Sequence, residues 1–391
     1  MTIPHYEVVV VGGGIHGAGV AQAAAAAGYR VLLLEKRQPA TGTSSRSSKL
    51  IHGGLRYLES GQLRLVWEAL HEREILLHIA PDLVRLVPFL IPVYAQSLHR
   101  PWQIRAGLCL YALLLGLKPH SRFSSLEKAQ WEDLAGLRTE GLRAVFSYLD
   151  AQTDDAALTR AVLASAAALG AEILYPALFV SAARIEAGYR VDYLFKDQEQ
   201  SCSTRVLVNA GGPWVNLVQD RISPVPPRLA VDLVQGTHIH LDQPIRDAVF
   251  YGESPYDRRP VFIMPWQQGT LVGTTETIFI GDPDRVAPLP EEITYLEETL
   301  GFYFPHYSGC VIGSMAGLRV LPAGRGRPLH RSRETILLPD ETSRLHLIAL
   351  YGGKLTTYRA TAARVIKLAR KTLPERKPIA YTAELPLIAS G

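Results

Sequence analysis

A chain of 391 residues exceeds one typical hydrophobic core, so two domains are expected. Hydrophobic residues at 47% and charged residues at 20% exclude a disordered chain, and a net charge of +4 is too small to imply nucleic acid. Three scattered cysteines (Cys109, Cys202, Cys310) without a C-x-x-C pair exclude a metal site of that kind, and read as buried thiols in a reducing compartment.

The N-terminus shows no basic segment followed by an apolar stretch and a cleavage site, so a cytoplasmic protein is expected. Four consecutive valines over residues 8–11 suit a parallel strand covered on both faces. Gly12, Gly14 and Gly17 follow with the G-x-G-x-x-G spacing and open an alanine-rich helix. Gly12 permits the tight turn, Gly14 lets the backbone approach a pyrophosphate, and Gly17 lets helix and strand pack closely. The phosphates would sit at the helix N-terminus. A second strand over residues 31–34 ends in Glu35 and Lys36, where a carboxylate can accept both hydroxyls of an adenosine ribose. The competing reading is an ordinary βαβ unit whose glycines only make a turn.

Residues 41–58 are rich in small hydroxyls. Thr43, Ser44, Ser45 and Ser48 allow close approach and can donate to phosphate and ribitol oxygens, and Gly53-Gly54 lets backbone pass against a flat ring. Residues 65–79 have helical periodicity, with Glu68, Glu72, Arg73 and Glu74 on one side, and read as scaffold. Pro81, Pro88 and Pro92 then break the pattern, and residues 93–149 read as the first part of a cap. The apolar run 108–117 is too short to cross a bilayer. It is a core helix or an interfacial helix flanked by Arg100, Arg105 and Lys118.

Asp154-Asp155 opens a helix with acids in its first turn, running to Gly170, and residues 172–174 form the next strand. A buried strand over 204–208 ends in Asn209-Ala210-Gly211-Gly212-Pro213-Trp214, suited to a second loop near a cofactor. Short alternating segments from 231 to 275 predict an antiparallel sheet, the larger part of the cap. A buried strand over 345–350, the pair Gly352-Gly353 and a helix from Lys354 through Lys371 close the chain, with N–H donors at the helix start suited to negative charge.

The run SSRSSKLIHGGLRYLE (residues 44–59) resembles the flavin-contacting segment of FAD-dependent glycerol-3-phosphate dehydrogenases, the membrane-associated, quinone-reducing type. Residues 209–215 (NAGGPWV), 272–276 (VGTTE) and 351–359 (YGGKLTTYR) extend the resemblance over essentially the whole chain. It implies an α/β fold, with a Rossmann-like FAD-binding domain of the glutathione-reductase/D-amino-acid-oxidase type and an antiparallel-sheet substrate cap. The expected segments are 1–92, 150–216 and 312–391 for the FAD domain and 93–149 and 217–311 for the cap. FAD, held noncovalently, would be contacted by the glycine turn, Glu35, Lys36 and the hydroxyl loop, including Lys49, Leu50, His52 and Gly53. Phe179 would lie on the strand pairing with adenine. Ala210, Gly211 and Trp214 would close over the dinucleotide, and Gly317, Arg319, Gly353, Lys354, Leu355 and Thr356 would lie at the flavin.

The resemblance also implies a substrate pocket of Arg56, Tyr57, His238, Thr274, Arg319, Arg333 and Lys354. His238 is the preferred base because imidazole titrates near neutral pH, with His240 a rival on the same face. Arg319 and Lys354 suit electrostatic stabilisation. Arg56 and Arg333, with Tyr57, suit a phosphate, with Arg331 close to Arg333. The implied reaction is oxidation of sn-glycerol 3-phosphate to dihydroxyacetone phosphate, with electrons passed to a quinone. Rivals on the same fold are an amino-acid or 2-hydroxy-acid oxidase and a flavin-binding subunit that does not turn over. Family members typically continue into a further helical domain beyond the segment matching Leu385-Pro386-Leu387. A short form lacking it is expected, with a homodimer or separate subunit as a replacement and a peripheral position on the inner membrane face as one location.

Overall fold

The structure is a computed structural model that describes residues 3–245, 248–324, 331, 334–340 and 345–388. Its first layer is a sheet of nine strands among the described residues, built outward from the valine strand His5–Val11. That strand runs parallel to Gln198–Asn209 on one side and Val31–Leu34 on the other, and Val8, Val9 and Val10 are fully buried. Branched side chains that must pack on both faces explain why the stretch is uninterrupted valine. Glu172–Leu174 and Leu347–Tyr351 add further parallel strands, and Ala177–Ile185 with Gly188–Phe195 extends the sheet antiparallel.

Helix Ile15–Ala26 packs between Asp155–Ala168 and Tyr358–Ala369. A Cβ on Gly19 would come within 2.7 Å of the Tyr358 ring, so small residues set how closely these helices approach.

The second layer has ten strands among the described residues, nearly all antiparallel. Its centre is Val231–Leu241, flanked by Val311–Pro322 and by Gly269–Gly273 and Thr277–Phe279. The sheet continues through Pro260–Trp266, Val249–Glu253, Val84–Tyr94, Leu142–Thr153 and Leu50–Ile51, with one parallel pairing between Val249–Glu253 and Val84–Tyr94. The segment limits expected at 92 and 312 fall inside Val84–Tyr94 and Val311–Pro322, both strands of this sheet.

Several local expectations change. Pro88 and Pro92 lie inside the strand Val84–Tyr94, which pairs along its length with Leu142–Thr153. Their even spacing puts both missing N–H groups on one edge, which a strand tolerates far better than a helix does. The charged side of helix Leu63–Ile79 serves the scaffold through partners distant in sequence: Glu72 is buried against Arg359, and Arg73 is fully buried against Asp150 at 2.7 Å. Helix Tyr358–Ala369 starts four residues after Lys354, because Gly352 and Gly353 take φ of +72° and +110° and residues 354–357 form a turn. Cys202 is buried, but Cys109 and Cys310 are exposed.

Candidate active site

One cavity of about 870 Å³ runs from the end of strand Val31–Leu34 into the space between the sheets. At its first end the glycine turn has the close approaches its spacing demands. A Cβ on Gly17 would lie 1.8 Å from the Gly12 carbonyl oxygen, and one on Gly12 would lie 2.6 Å from that of Ala210. Gly17 therefore shapes the turn from behind, whereas Gly12 and Gly14 line the cavity. The Glu35 carboxylate accepts from Gly13 N–H at 2.6 Å and Arg37 N–H at 2.9 Å, which holds it at the cavity wall. Lys36 lies over the Trp214 ring at 3.9 Å and pairs with Asp284 at 2.8 Å, so a cap loop is tied down over this end. Phe179, Ala210, Gly211 and Trp214 line the same end. Asn209 shapes that loop, its amide donating to the Val215 carbonyl and its oxygen accepting from Gly211 N–H.

The hydroxyl loop is turned more toward protein than its composition suggests. Thr43 donates to the Leu318 carbonyl, Ser45 to that of Gly42, and Ser47 to Asp155. Ser44 accepts from Ile15 N–H at 2.9 Å, capping the helix that follows the glycine turn. Lys49 does not line the cavity: it is 5% exposed and its ammonium reaches Asp155 at 2.5 Å and the Ser45 carbonyl at 2.6 Å. Ser45 and Gly53 also lie off the cavity wall, whereas Thr43, Ser44, Ser48, Leu50 and His52 are on it. Behind Gly53 stands a buried relay. Gly53 N–H donates to Tyr111 Oη at 2.8 Å, Tyr111 to Asp150 at 2.6 Å, and Asp150 is paired with Arg73.

At the far end the cations converge. Arg56 and Lys354 flank Tyr57, the ammonium 3.8 Å from the ring centroid and the guanidinium 4.9 Å from it. From the second sheet, Arg319 donates to Thr274 Oγ1 at 3.1 Å and to the Thr275 carbonyl at 3.4 Å. A Cβ on Gly236 would lie 2.6 Å from Thr274 Oγ1 and 2.8 Å from Arg319 Nη2, so this glycine makes room for both. His238, two residues on and therefore on the same face, bonds Ser48 Oγ through Nε2 at 2.9 Å. Its rival His240 does not line the cavity. Gly317, Gly353, Leu355 and Thr356 complete this wall, and Arg333 lies outside the described residues.

Residues missed from sequence also line the wall: His16, Tyr148, Tyr251, Arg259, Phe262, Glu276 and Asp284. His16 occupies a variable position of the glycine turn, and Gly353 approaches its ring so closely that a Cβ there would lie 2.0 Å from Nε2. The others come from the cap, where no local pattern separates a cavity-facing side chain from a core one.

Burial, reinforced by the Arg319 and Lys49 cations, pushes the His238 imidazole down from 6.5 to about 3, so the ring is neutral at pH 7. The unfolded chain protonates this histidine near 6.5 and the folded one does not. Its contribution to stability is therefore complete above pH 6.5 and is lost as pH falls toward 3. At about 1.4 kcal/mol per pH unit, roughly 2 kcal/mol goes between pH 6.5 and 5. Denaturation of the wild type should show this slope and His238→Asn a flatter one; equal slopes in the two proteins would refute the assignment.

The cavity fits a dinucleotide carrying a flavin. Its first end offers a ribose-type carboxylate and a glycine turn without Cβ atoms, and its far end is cationic. Trp214 Nε1 and His16 Nδ1 are buried on its wall with no hydrogen-bond partner among the described residues, as expected of groups that meet a polar ligand. Together fold and site define a two-layer flavin-dependent oxidoreductase.

The profile of the FAD dependent oxidoreductase family matches residues 7–368. A D-erythritol 1-phosphate dehydrogenase of Brucella abortus is 38% identical over 94% of this chain and 74% of its own. A glycerol-3-phosphate dehydrogenase of Pseudomonas aeruginosa is 37% identical over 98% and 75%. The crystal structure of glycerol-3-phosphate dehydrogenase from Bacillus halodurans with FAD superposes with a TM-score of 0.74 at 26% identity, covering 97% of this chain and 67% of that one. The chain belongs to the FAD dependent oxidoreductase family and, within it, to the glycerol-3-phosphate dehydrogenases. Its cofactor is FAD.

Proposed function

We propose that this protein oxidises the secondary hydroxyl of sn-glycerol 3-phosphate, giving dihydroxyacetone phosphate, and that the electrons pass to a quinone. The observation that carries the reading is the convergence of Arg56, Arg319 and Lys354 on the end of the cavity where a neutral histidine also lies. FAD supplies the hydride acceptor. Arg56 and Lys354, with Tyr57 between them, bind the phosphate dianion, for which several cations are better suited than for a lone carboxylate. Arg319 stabilises negative charge developing on the substrate oxygen, and Thr274 orients its guanidinium. His238 accepts the hydroxyl proton. A weak base suffices, because the hydroxyl becomes strongly acidic as the hydride leaves its carbon.

A second reading, a four-carbon polyol phosphate as substrate, is favoured by the relative named for D-erythritol 1-phosphate and by polar groups of Tyr251, Arg259 and Glu276 on the wall. Among the described residues no helix is long and apolar enough to cross a membrane. For a lipid-dissolved quinone, the bilayer-facing surface would be the outside of helix Pro101–Leu114. There Trp102 and Leu113 are 69% and 59% exposed beside Arg100 and Arg105.

Anaerobic addition of sn-glycerol 3-phosphate to the holoprotein should bleach the visible flavin absorbance. Glycerol, D-erythritol 1-phosphate and a panel of amino and hydroxy acids serve as comparisons. Oxidised flavin in the presence of both phosphates overturns the substrate class, and faster bleaching by the four-carbon phosphate selects the second reading. With quinone in anionic vesicles as acceptor, Trp102→Asp should slow turnover and leave bleaching intact; undiminished turnover removes that face.

A further inference from the structure

We propose that Glu292, on helix Pro290–Tyr303, is a positioning residue for the reaction: its buried carboxylate clamps the rear of the strand that carries His238 and of the segment that carries Thr274. The inference rests on the reading of the site given above. Glu292 is 4% exposed and does not line the cavity. Oε2 accepts from Gln235 Nε2 at 2.6 Å, Thr237 Oγ1 at 2.5 Å and Leu289 N–H at 3.2 Å. Oε1 accepts from Thr275 and Thr277 hydroxyls, each at 2.8 Å. All five partners are neutral donors, and four are side chains from two segments, strand Val231–Leu241 and residues 275–277 leading into Thr277–Phe279.

The donors recur at every second position, Gln235 and Thr237 on one segment, Thr275 and Thr277 on the other. Strand geometry turns the residues between them to the opposite side. On that side Gly236 and His238 line the cavity, with Thr274 and the Arg319 guanidinium against Gly236. The clamp is closed by Thr237 N–H donating to Thr275 Oγ1 at 2.9 Å, and the Thr275 carbonyl in turn receives Arg319. One carboxylate thus sets the spacing between the strand bearing the proton acceptor and the segment orienting the guanidinium. Arg56 and Lys354, which come from other elements, lie outside the clamp. Its loss should therefore fall on the rate of reaction more than on substrate affinity.

Glu292→Gln keeps the shape but replaces an acceptor by a donor, so at least one of the donors loses its partner. The control is Glu7→Gln, which removes a buried carboxylate bonded to Arg30 N–H and Arg376 at the far end of the first sheet. Misplacing reacting groups by a fraction of an ångström should lower the limiting rate of anaerobic bleaching by sn-glycerol 3-phosphate roughly 10-fold or more. The substrate dissociation constant should change less than about threefold, because the phosphate ligands are not in the clamp. Flavin content and spectrum should match the wild type, and Glu7→Gln should bleach at the wild-type rate even if its Tm falls as far.

Amide exchange over residues 231–241 and 273–279 reads the clamp without any substrate. It should accelerate about tenfold in Glu292→Gln and not in Glu7→Gln. Unchanged exchange, or a wild-type bleaching rate in Glu292→Gln, overturns the proposal. A wild type that exchanges as expected but is not bleached overturns the substrate reading instead.

Discussion

Arg319→Met should lower kcat/KM for sn-glycerol 3-phosphate by about 10³-fold or more while FAD remains bound. Arg319 is positioned for this by backbone rather than by chance packing: its strand, Val311–Pro322, pairs with Val231–Leu241 with Arg319 opposite Val234. Its guanidinium is held by Thr274 and the Thr275 carbonyl, with the Glu276 carboxylate 3.6 Å away, and its side chain is 22% exposed. A cation so placed has little reorganising to do as charge develops, which is where electrostatic catalysis gains most. Arg319→Lys should recover only part of the loss, because an ammonium cannot make the same two directed donations. Steady-state assay with an artificial acceptor, combined with anaerobic bleaching, separates chemistry from reoxidation. A loss below tenfold in the methionine variant would show that another cation carries the charge.

How much of this was legible in the sequence depends on how far apart the partners lie. The cofactor end was readable because its parts are local. Strand, glycine turn, helix and Glu35 fall within about thirty residues, and Gly12 and Gly17 meet the close backbone approaches that their spacing demands. The cap was readable only in outline, since alternation marks strands but not their neighbours. The prolines mark the end of the helix, which stops at Ile79, but nothing local shows that Pro88 and Pro92 pair within a strand against Leu142–Thr153. The charge partners were not legible at all. Arg73 meets Asp150, Glu72 meets Arg359, and Lys36 meets Asp284, each across more than seventy residues. In the sequence Glu72 and Arg73 read as one side of a scaffold helix and Lys36 as a cofactor contact, with nothing local to mark the partner of any of them.

Lys49 illustrates the same limit in the opposite direction. A lysine within a hydroxyl-rich, flavin-contacting segment reads as a cofactor ligand, yet its ammonium is spent on Asp155 and a backbone carbonyl. Asp155 in turn accepts from Ser47 N–H and Oγ, so the ion pair sets the path of the loop. The loop then reaches the far sheet through Thr43 and Arg46, which donate to carbonyls of Val311–Pro322, and through Ser48, which meets His238. Its hydroxyls therefore bind the two layers together as much as they line the cavity.

Gly12→Ala should yield protein that purifies without FAD, and hence without activity. The added methyl would lie 2.6 Å from the Ala210 carbonyl oxygen, a backbone atom in the opposite wall of the cofactor end, at a φ of +110° that side chains rarely adopt. Relief requires moving the glycine turn or residues 209–211, and either motion displaces groups that line the dinucleotide end. Strain alone could also destabilise the fold, so the informative comparison is Gly28→Ala. That residue has φ of +87°, would place its methyl 3.0 Å from the Lys377 carbonyl, and is remote from the cavity. It should lose about 1–2 kcal/mol of stability and retain a full complement of FAD. Absorbance ratios of the purified proteins and FAD titration of the apoproteins read the difference. If Gly12→Ala binds FAD as tightly as Gly28→Ala does, the close approach at Gly12 does not matter to the cofactor, and the glycine turn is only a turn.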